Sequence, residues 1–571
     1  MNKKDFQIRL DELELSMVPI VDPQAKSCFK ESLNLLEILV INNESLMIEN
    51  QQLKNENNRL KGEQGLPNIK ANTKGNQGDH SSENDRKSQG KTNKNGSDNE
   101  ETEGKKKRSR EPKIPKIKID REVICPIDKS ILPRDAVFKG HSDSVVQDII
   151  ITTNNIKYRR EVYYSKSMKK TYLGELPLSV AGHGEYGVGI RSLIPLFKSE
   201  CNLSESRILD FFQNFGIVLS PAYISNQWTK GYDCFHQEKD DLYLAGLASG
   251  SFQQIDDTFA RVCGKNHYTH IMCNQHYSAF FTTPRKDRLT VLDVFRNFAP
   301  REFLYNSRAI CILQGFKLSK KCLRSLDELL QKETLFNETS LDKLLDSLKL
   351  GLNRKLGINQ RSRIKEACAI AAYRAQANYP IIEKLVCDNA PQFRLLTKYR
   401  VLCWIHDGRH YKKLTPIFKS HQLILDEFIS NYWIFYHKLL DYKEAPDPNR
   451  AIVLSNEFND LFSTKTDYEQ LNDRIAKTLA KHKQLLWVLK FPELPLHNNT
   501  SELAARVQAR ARDVSFHTMS KKGTQIKDTF MSISQTAKKL GVRTYEYVYD
   551  RVSGDYKMPS LAQLIYEKSL L

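Results

Sequence analysis

Leucines near the N-terminus recur at every seventh position from Leu39 to Leu60. With these leucines at the d positions of a heptad repeat, asparagines occupy successive a positions, which costs stability but specifies a parallel dimer. We therefore predict a helical, coiled-coil dimerisation segment over 1–62 and a homodimer or higher oligomer. The alternative is an amphipathic helix that packs on its own body. The d positions are Leu39, Leu46, Leu53 and Leu60, and the a positions are Leu36, Asn43, Asn50 and Asn57.

The periodic apolar positions stop over the next segment, 63–121. Its first part, to residue 104, is rich in Asn, Gly, Ser, Gln, Lys and Glu and has no aromatic residue, a composition typical of a disordered linker. Lys105–Arg121 then carries nine basic residues against two acidic ones. This run predicts an extended basic arm along nucleic-acid phosphates, or alternatively a solvated charge run.

Two smaller units are predicted next. Clusters of β-branched and aromatic residues at 145–151 and 162–164 predict a small β-rich module over 122–180. The region 181–245 reads as helical, and Ser204–Lys230 has the pattern helix, Gly216 turn, helix, with Ser220 as the N-cap and Pro221 at the first helical position. Its second helix either enters a DNA major groove or only packs as a hairpin. The face considered for DNA binding carries Tyr223, Asn226, Gln227 and Lys230.

Alternating apolar positions and then helical spacing predict an α/β domain with helical insertions over 246–550, followed by a C-terminal tail, 551–571. Three successive strands are expected at 252–262, 267–273 and 277–283, in an antiparallel meander. The stretches 318–377 and 414–489 are expected to be largely helical, and a short apolar strand over 381–387 ends at Asp388.

Composition favours a polyanionic partner. The chain has 571 residues, 87 Lys and Arg against 68 Asp and Glu, and a formal net charge of +19. Nucleic acid is the commonest partner of such a chain. The 11 cysteines follow no disulfide framework, and there is no signal-like N-terminus or membrane-length apolar run, so we expect free thiols, a cytoplasmic location and no membrane partner.

Three acidic residues in different elements are the candidates for chemistry. Asp256 and Asp257 fall within one predicted strand, where alternation directs them to opposite faces. Asp388 ends a strand, and Glu502 lies on a predicted helix for which 498–501 supplies plausible N-caps. Brought together, Asp256, Asp388 and Glu502 would suit two divalent metal ions, although each acid alone is more often a surface or capping residue. Arg506 and Arg510 follow Glu502 at four-residue intervals, which suits either phosphate contacts or ordinary ion pairs on a surface helix.

Three other groups carry weaker signals. A cysteine and histidine cluster has the spacing of a zinc site, but its members fall on several strands, and we interpret it as coincidence. His406, Arg409 and His410 follow Trp404 and are candidates for contacts with DNA phosphate, the alternative being a core tryptophan with solvated neighbours. Trp433 suits base stacking, with core packing preferred. The cluster comprises Cys263, His267, His270, Cys273 and His276.

Four motifs together resemble the DDE transposases of the insertion-sequence sixty-six family. They are Ile255-Asp256-Asp257-Thr258, Cys387-Asp388-Asn389, Cys403-Trp404-Ile405-His406, and Asn498-Asn499-Thr500-Ser501-Glu502 with Arg506, which is followed by Phe516, Ser520, Gly523 and the 532–540 helix. The resemblance implies an RNase H-like catalytic domain whose catalytic and metal-binding triad is Asp256, Asp388 and Glu502. It further implies two Mg²⁺ or Mn²⁺ ions, DNA partners that are the element's terminal inverted repeats and a target, and a bacterial, nucleoid-associated location.

The sequence departs from that family at three places. The four-cysteine zinc module is degenerate, since Cys125 lacks its C-x-x-C partner, and we expect no structural zinc there. Leu318–Ala377 reads as an insertion, and His497 stands where the family commonly has Asp. The expected function is metal-dependent DNA strand cleavage and strand transfer, with Arg506 and Arg510 near the phosphates. The alternative is a catalytically inactive, transposase-derived DNA-binding dimer.

Overall fold

The computed structural model describes residues 3–16, 21–60, 119–133, 135–177, 185–330, 333–350 and 354–570. The predicted linker and nearly all of the basic arm lie outside these residues. The described chain is mixed α/β, mostly helical, with one mixed central sheet and an N-terminal helical segment. None of its helices combines the length and apolar character that crossing a bilayer requires.

Two N-terminal helices, α1 (Lys3–Leu15) and α2 (Pro23–Leu60), differ in how they are covered. Leu33, in the first half of α2, is buried against Leu10 and Phe418, so this half packs on the body of the protein. The heptad leucines from Leu39 to Leu53 are uncovered in the single chain. The packing of the first half of α2 fits the alternative, a helix that packs on its own body, and the coiled coil and the oligomer stay predictions. Leu39, Leu46 and Leu53 are 64 %, 63 % and 64 % exposed.

In the described residues of the predicted β-rich module there is one hairpin, between β1 (Val162–Ser165) and β2 (Lys170–Leu173), which pair antiparallel. The expectation of strands at 145–151 was wrong, because that stretch has no regular secondary structure. Its Val146 and Ile150 are 87 % and 84 % exposed. A β-branched run without a paired strand or a covering layer has nothing to hold it extended in a sheet.

Three helices form a small unit of their own: α3 (Val188–Ser199), α4 (Glu205–Asn214) and α5 (Pro221–Lys230). Gly216, with φ +72°, makes the turn between α4 and α5, and Ser220 Oγ accepts the Tyr223 N–H at 3.2 Å, so the predicted helix, turn and helix are confirmed. The unit encloses Ile194, Ile208, Phe212, Leu219 and Ile224.

On the face of α5 considered for DNA binding, fewer residues are exposed than the sequence predicted. Asn226 and Lys230 are exposed and Gln227 is half-buried. Tyr223 instead packs its ring 4.1 Å from that of Tyr186, which removes it from the face that a groove would contact.

Helix α6 (Cys234–Ala248) leads into the central sheet. The strands β3 (Gln253–Val262), β4 (Lys265–Cys273) and β5 (Ser278–Thr283) form the predicted antiparallel meander. The chain then continues through α7 (Arg288–Phe295), β6 (Glu302–Leu304), α8 (Ser307–Gly315), α9 (Lys320–Leu329), β7 (Leu335–Asn337), α10 (Glu338–Ser347), β8 (Lys349–Leu350), β9 (Arg354–Lys355) and α11 (Ile358–Ala375). The stretch 318–377 is thus helical with short strands between its helices.

Two parallel strands complete the sheet. They are β10 (Lys384–Cys387) and β11 (Tyr399–Leu402), and the spatial order is β11, β10, β3, β4, β5. Strand β10 runs parallel to both β3 and β11. The sheet is therefore antiparallel on one side of β3 and parallel on the other, and β3 lies at its centre.

The remaining helices form a bundle and then cover the sheet. They are α12 (Trp404–Tyr411), α13 (Lys419–Glu444), α14 (Pro448–Phe462), α15 (Glu469–Leu479), α16 (His482–Leu485), α17 (Trp487–Lys490), α18 (Asn499–Val514), α19 (Lys521–Leu540), α20 (Thr544–Ser553) and α21 (Leu561–Ser569). The predicted C-terminal tail contains α21, whose Leu561 and Ile565 are fully buried in the main core. It is therefore part of the folded domain.

Carboxylates from α1 and α2 cap the N-terminus of α13, where Phe418 supplies no side-chain cap. Glu14 accepts the backbone N–H groups of Lys419 and Ser420 at 3.0 and 2.7 Å. Glu37, only 1 % exposed, accepts the Ile417 N–H and contacts His421 Nδ1 at 2.7 Å. Because the first turn of a helix has free N–H groups and a positive end, these acids dock the N-terminal helices on α13.

Candidate functional site

The register of the parallel strands brings two acids to the same level. Leu385 pairs with Gln253 and Val386 with Gln254, an offset of 132 residues. When this register is continued for two more residues, Asp388 is level with Asp256, because these two residues are also 132 positions apart. Residues level with each other on neighbouring strands share a face of the sheet, and the strands lie about 5 Å apart. The register therefore places Asp388, the first residue after β10, near Asp256.

Glu502 is tethered to the same place through the start of α18. Asn498, in the N-cap position, makes no side-chain cap; its Nδ2 instead donates to the carbonyl of Ile255, the residue before Asp256, at 2.8 Å. The expectation that this polar run caps the helix was thus wrong for Asn498, because a buried strand carbonyl takes its amide. Glu502 lies one turn further along, and its N–H donates to the Asn498 carbonyl at 3.1 Å.

The electrostatics of Asp256 reflect its burial and the negative charges around it. Burial raises its pKa to about 7, and the negative charges of Asp388, Asp257 and Glu502 add to the increase. The backbone N–H of Asp257, which donates to Asp256 Oδ1 at 2.8 Å, acts in the opposite direction but does not compensate. A buried carboxyl that repels its neighbours in this way favours a proton or a cation between them.

Asp257 lies on the opposite face of β3, as strand alternation predicts. Its Oδ1 accepts Lys286 Nζ at 3.1 Å and its Oδ2 accepts Gln392 Nε2 at 2.6 Å. Both oxygens are thus occupied by cationic or amide donors. Asp257 is a structural neighbour of the candidate site, and Asp256 is the residue of the pair that joins the other acids.

His406 and Arg409 contact Glu502, a relationship that the sequence did not reveal. Arg409 Nη2 donates to Glu502 Oε2 at 3.2 Å, and His406 Nδ1 lies 3.5 Å from Glu502 Oε1. Both side chains were expected either as phosphate contacts or as solvated neighbours of a core tryptophan. The signal available in the sequence was their three-residue spacing, which puts them on one face of α12.

Arg506 and Arg510 are exposed on α18, one and two turns beyond Glu502. Other cations lie near the same end of the sheet: Arg512 donates to the Phe259 carbonyl at 2.7 Å, and Arg261 lies over the ring of Phe516. The exposed side of α18 therefore carries cations close to the three acids.

The cysteine and histidine cluster is not brought together. On β4, His267 pairs with Ala260 and Cys273 with Gln254, which separates the two by six residues, about 20 Å along the strand. His270 is buried with its Nε2 3.0 Å from Thr283 Oγ1. This agrees with the interpretation of the cluster as coincidence.

Two tryptophans belong to the core. Trp404 is fully buried and its Nε1 donates to the Leu485 carbonyl at 2.9 Å. Trp433 is 5 % exposed, and its ring packs so closely on Gly408 that a Cβ there would lie 2.9 Å from it. Core packing, the preferred interpretation of Trp433, fits this burial, and base stacking does not.

The three acids have the ligand chemistry that a divalent cation takes, although among the described residues it is Cys403, His406 and Glu502, and not the triad, that place their ligand atoms within 4.8 Å of one another. Carboxylate oxygens are the ligands that Mg²⁺ and Mn²⁺ prefer. Within the described residues, Glu502 Oε1 is buried without a hydrogen-bond donor, which leaves one oxygen for a cation. The raised pKa of Asp256 also favours a cation at this place, because a cation would reduce the repulsion between the carboxylates, as a proton does.

No protein-family model matches the chain. Among curated proteins, it is 28 % identical over 328 residues to a protein of Sinorhizobium fredii (strain NBRC 101917 / NGR234) named "Uncharacterized protein y4jO". The match covers 57 % of this chain and 99 % of that protein. The chain is thus similar to a rhizobial protein whose name states no activity.

Proposed function

We propose that the protein is a metal-dependent polynucleotidyl transferase with Asp256, Asp388 and Glu502 as its catalytic acids. The observation that carries this proposal is the strand register that sets Asp388 beside Asp256, with Glu502 tethered through Asn498 to the residue before Asp256. More particularly, we propose a DDE transposase of the insertion-sequence sixty-six family, which acts on the ends of an insertion sequence.

The topology of the sheet supports an RNase H-like catalytic domain. Three antiparallel strands followed by two parallel ones, with the first strand central, is the arrangement that the family resemblance implies. The acids also occupy the expected elements: the central strand, the end of the neighbouring parallel strand and a helix across the sheet. The helices between β5 and β10, and α13–α17 between β11 and α18, are the insertions.

The residues have distinct roles in this proposal. Two Mg²⁺ or Mn²⁺ ions, held by the triad, would activate water and then a 3′ hydroxyl for in-line attack on phosphorus. Asp256, Asp388 and Glu502 hold and orient this centre, and Asn498 fixes the helix that carries Glu502. Arg506 and Arg510 neutralise flanking phosphates, and His406 and Arg409 position the Glu502 carboxylate.

DNA binding is assigned to the regions before the catalytic domain. The three-helix unit exposes Asn226 and Lys230 on α5, with Gln227 beside them, where a recognition helix would meet the terminal inverted repeat. The net charge of +19 favours both that contact and the target DNA. The leucine stripe of α2 would dimerise the protein, in the nucleoid of a bacterial cytoplasm.

The alternative function is a DNA-binding dimer without catalysis, derived from a transposase. The presence of all three acids, two of them side by side, argues against it. A strand-transfer assay with Mg²⁺ and cognate element ends separates the two functions. We expect Asp388→Asn and Glu502→Gln to lower the rate by at least about a hundredfold, whereas the matched control Asp257→Asn retains most of it. Activity that survives in the first two variants would refute the triad.

A further inference from the structure

A second set of metal-binding atoms lies beside the proposed triad. The sulfur of Cys403, a ring nitrogen of His406 and a carboxylate oxygen of Glu502 are all within 4.8 Å of one another. Thiolate, imidazole and carboxylate are the ligand types of zinc sites. Mg²⁺ prefers oxygen ligands, so a Mg²⁺ site gives no reason for the sulfur and the nitrogen.

Two of these atoms face each other without forming a hydrogen bond. His406 Nδ1 and Glu502 Oε1 lie 3.5 Å apart, both are buried, and neither has a hydrogen-bond partner among the described residues. Unpaired polar atoms in a buried space cost free energy unless a proton or a cation joins them. Arg409 occupies the other Glu502 oxygen, Oε2, and leaves Oε1 for the shared space.

Cys403 supplies the third donor from the start of α12. It is the N-cap residue of that helix, and its Sγ accepts the Asn498 N–H at 3.3 Å. Burial raises the pKa of this thiol to about 12, and the backbone N–H groups of His406, Asn498 and Ile405 offset only part of the increase. A metal ion replaces the thiol proton, and those N–H groups then stabilise the sulfur charge.

We propose that Cys403, His406 and Glu502 bind one transition-metal ion of the Zn²⁺ class, with the fourth coordination position left to water. This site differs from the degenerate zinc module around Cys125 in both its residues and its place. Because Glu502 also belongs to the triad, Zn²⁺ held here would withdraw that carboxylate from the Mg²⁺ pair and inhibit strand transfer. The inhibition rests on the proposed function, whereas the binding does not.

The test is a titration of the metal-free full chain with Co²⁺, whose charge-transfer absorption reports a thiolate ligand. We expect a band that saturates at one ion per chain and is displaced by Zn²⁺. Cys403→Ser should abolish the band, and His406→Gln should weaken Co²⁺ binding about tenfold or more. Two controls should keep it: Cys311→Ser, which removes an exposed thiol elsewhere, and Asp388→Asn, which alters the triad but not this site.

The absence of the band in the wild-type protein, or an unchanged band in Cys403→Ser, would overturn the proposal. Circular dichroism establishes whether each variant is folded. If Cys403→Ser does not fold, His406→Gln decides, and Co²⁺ affinity equal to that of the wild type refutes the site. A Co²⁺ band in a protein without strand-transfer activity refutes only the proposed function, and the reverse result refutes only this metal site.

Discussion

Asp388 directly follows β10, and the register of that strand with its parallel neighbour β3 places it level with Asp256. The charge of Asp388 is, after burial, the largest cause of the raised pKa of Asp256. This pair of acids is destabilising in the absence of a cation. A metal-binding site is expected to hold like charges together at a cost in folding stability. Removal of one of these charges should therefore increase the stability of the metal-free protein.

Asp256→Asn should stabilise the metal-free protein above neutral pH. The pKa of Asp256 is about 7 in the folded chain, against 3.8 for an ordinary aspartate, so the folded state binds the proton more tightly. The contribution of Asp256 to wild-type stability therefore falls as the pH rises from about 4 to about 7, and then levels off. Asparagine does not ionise, and we expect the variant to be roughly 1 to 3 kcal/mol more stable at pH 8.

Chemical unfolding in the presence of a chelator, from pH 4 to pH 8, measures this effect. Mg²⁺ should stabilise the wild-type protein and have little effect on Asp256→Asn, because a ligand that binds only the folded state stabilises it. Asp257→Asn, on the opposite face of β3, should keep the wild-type pH slope. If stability depends on pH equally in the wild type and in Asp256→Asn, Asp256 is not the acid with the raised pKa.

Asn498→Ala should weaken catalysis although Asn498 is not one of the proposed catalytic acids. The substitution leaves the buried Ile255 carbonyl without its donor and releases the start of α18, at a cost of about 1 to 3 kcal/mol of stability. Because Glu502 then loses its fixed position, we expect kcat for strand transfer to fall more than tenfold, with DNA affinity nearly unchanged. Asn499→Ala, one residue further on, is the comparison. An unaltered kcat in Asn498→Ala would contradict the tether.

Glu37→Ala should release the N-terminal helices from α13. The variant leaves the Ile417 N–H and the buried His421 without their carboxylate. We expect faster hydrogen exchange in residues 23–37 and at the start of α13, with the central sheet unaffected. Glu31→Ala, an exposed acid on the same helix, should exchange like the wild type. Unchanged hydrogen exchange in Glu37→Ala would show that the apolar contacts of Leu33 are enough to hold the N-terminal helices on α13.

Leu46→Lys should make the protein monomeric. Leu46 lies in the uncovered heptad stripe of α2, and a charge at a d position opposes packing against a second helix. Light scattering after size exclusion measures the mass, and we expect the wild type at twice the mass of the variant or more. Glu44→Lys introduces a similar charge at an exposed position outside the stripe and should stay oligomeric. A wild-type monomer would refute the coiled coil.

Local patterns predicted the elements of the site well. Alternation identified the three strands of the meander and assigned Asp256 and Asp257 to opposite faces. Capping residues located α5 at Pro221, because Ser220 and Pro221 determine a helix start through contacts within one turn. Helical spacing likewise predicted α18, which carries Glu502.

Long-range contacts limited what the sequence could predict. The pairing of β3 with β10, and the contacts of His406 and Arg409 with Glu502, join residues about a hundred positions apart, and no local period encodes them. Asn498 shows the same limit, since its ordinary role as a helix cap gives way to a buried strand carbonyl. At 145–151, β propensity predicted strands for which the fold supplies no partner.

The most direct measurement is a crystal structure of the protein with Mn²⁺, examined by anomalous scattering. The proposed function predicts Mn²⁺ peaks about 2.1 to 2.3 Å from carboxylate oxygens of Asp256, Asp388 and Glu502, and none at Asp257. The absence of a peak at saturating Mn²⁺, or a peak that involves only one of the three acids, would contradict the claim that these residues form one metal-dependent active site.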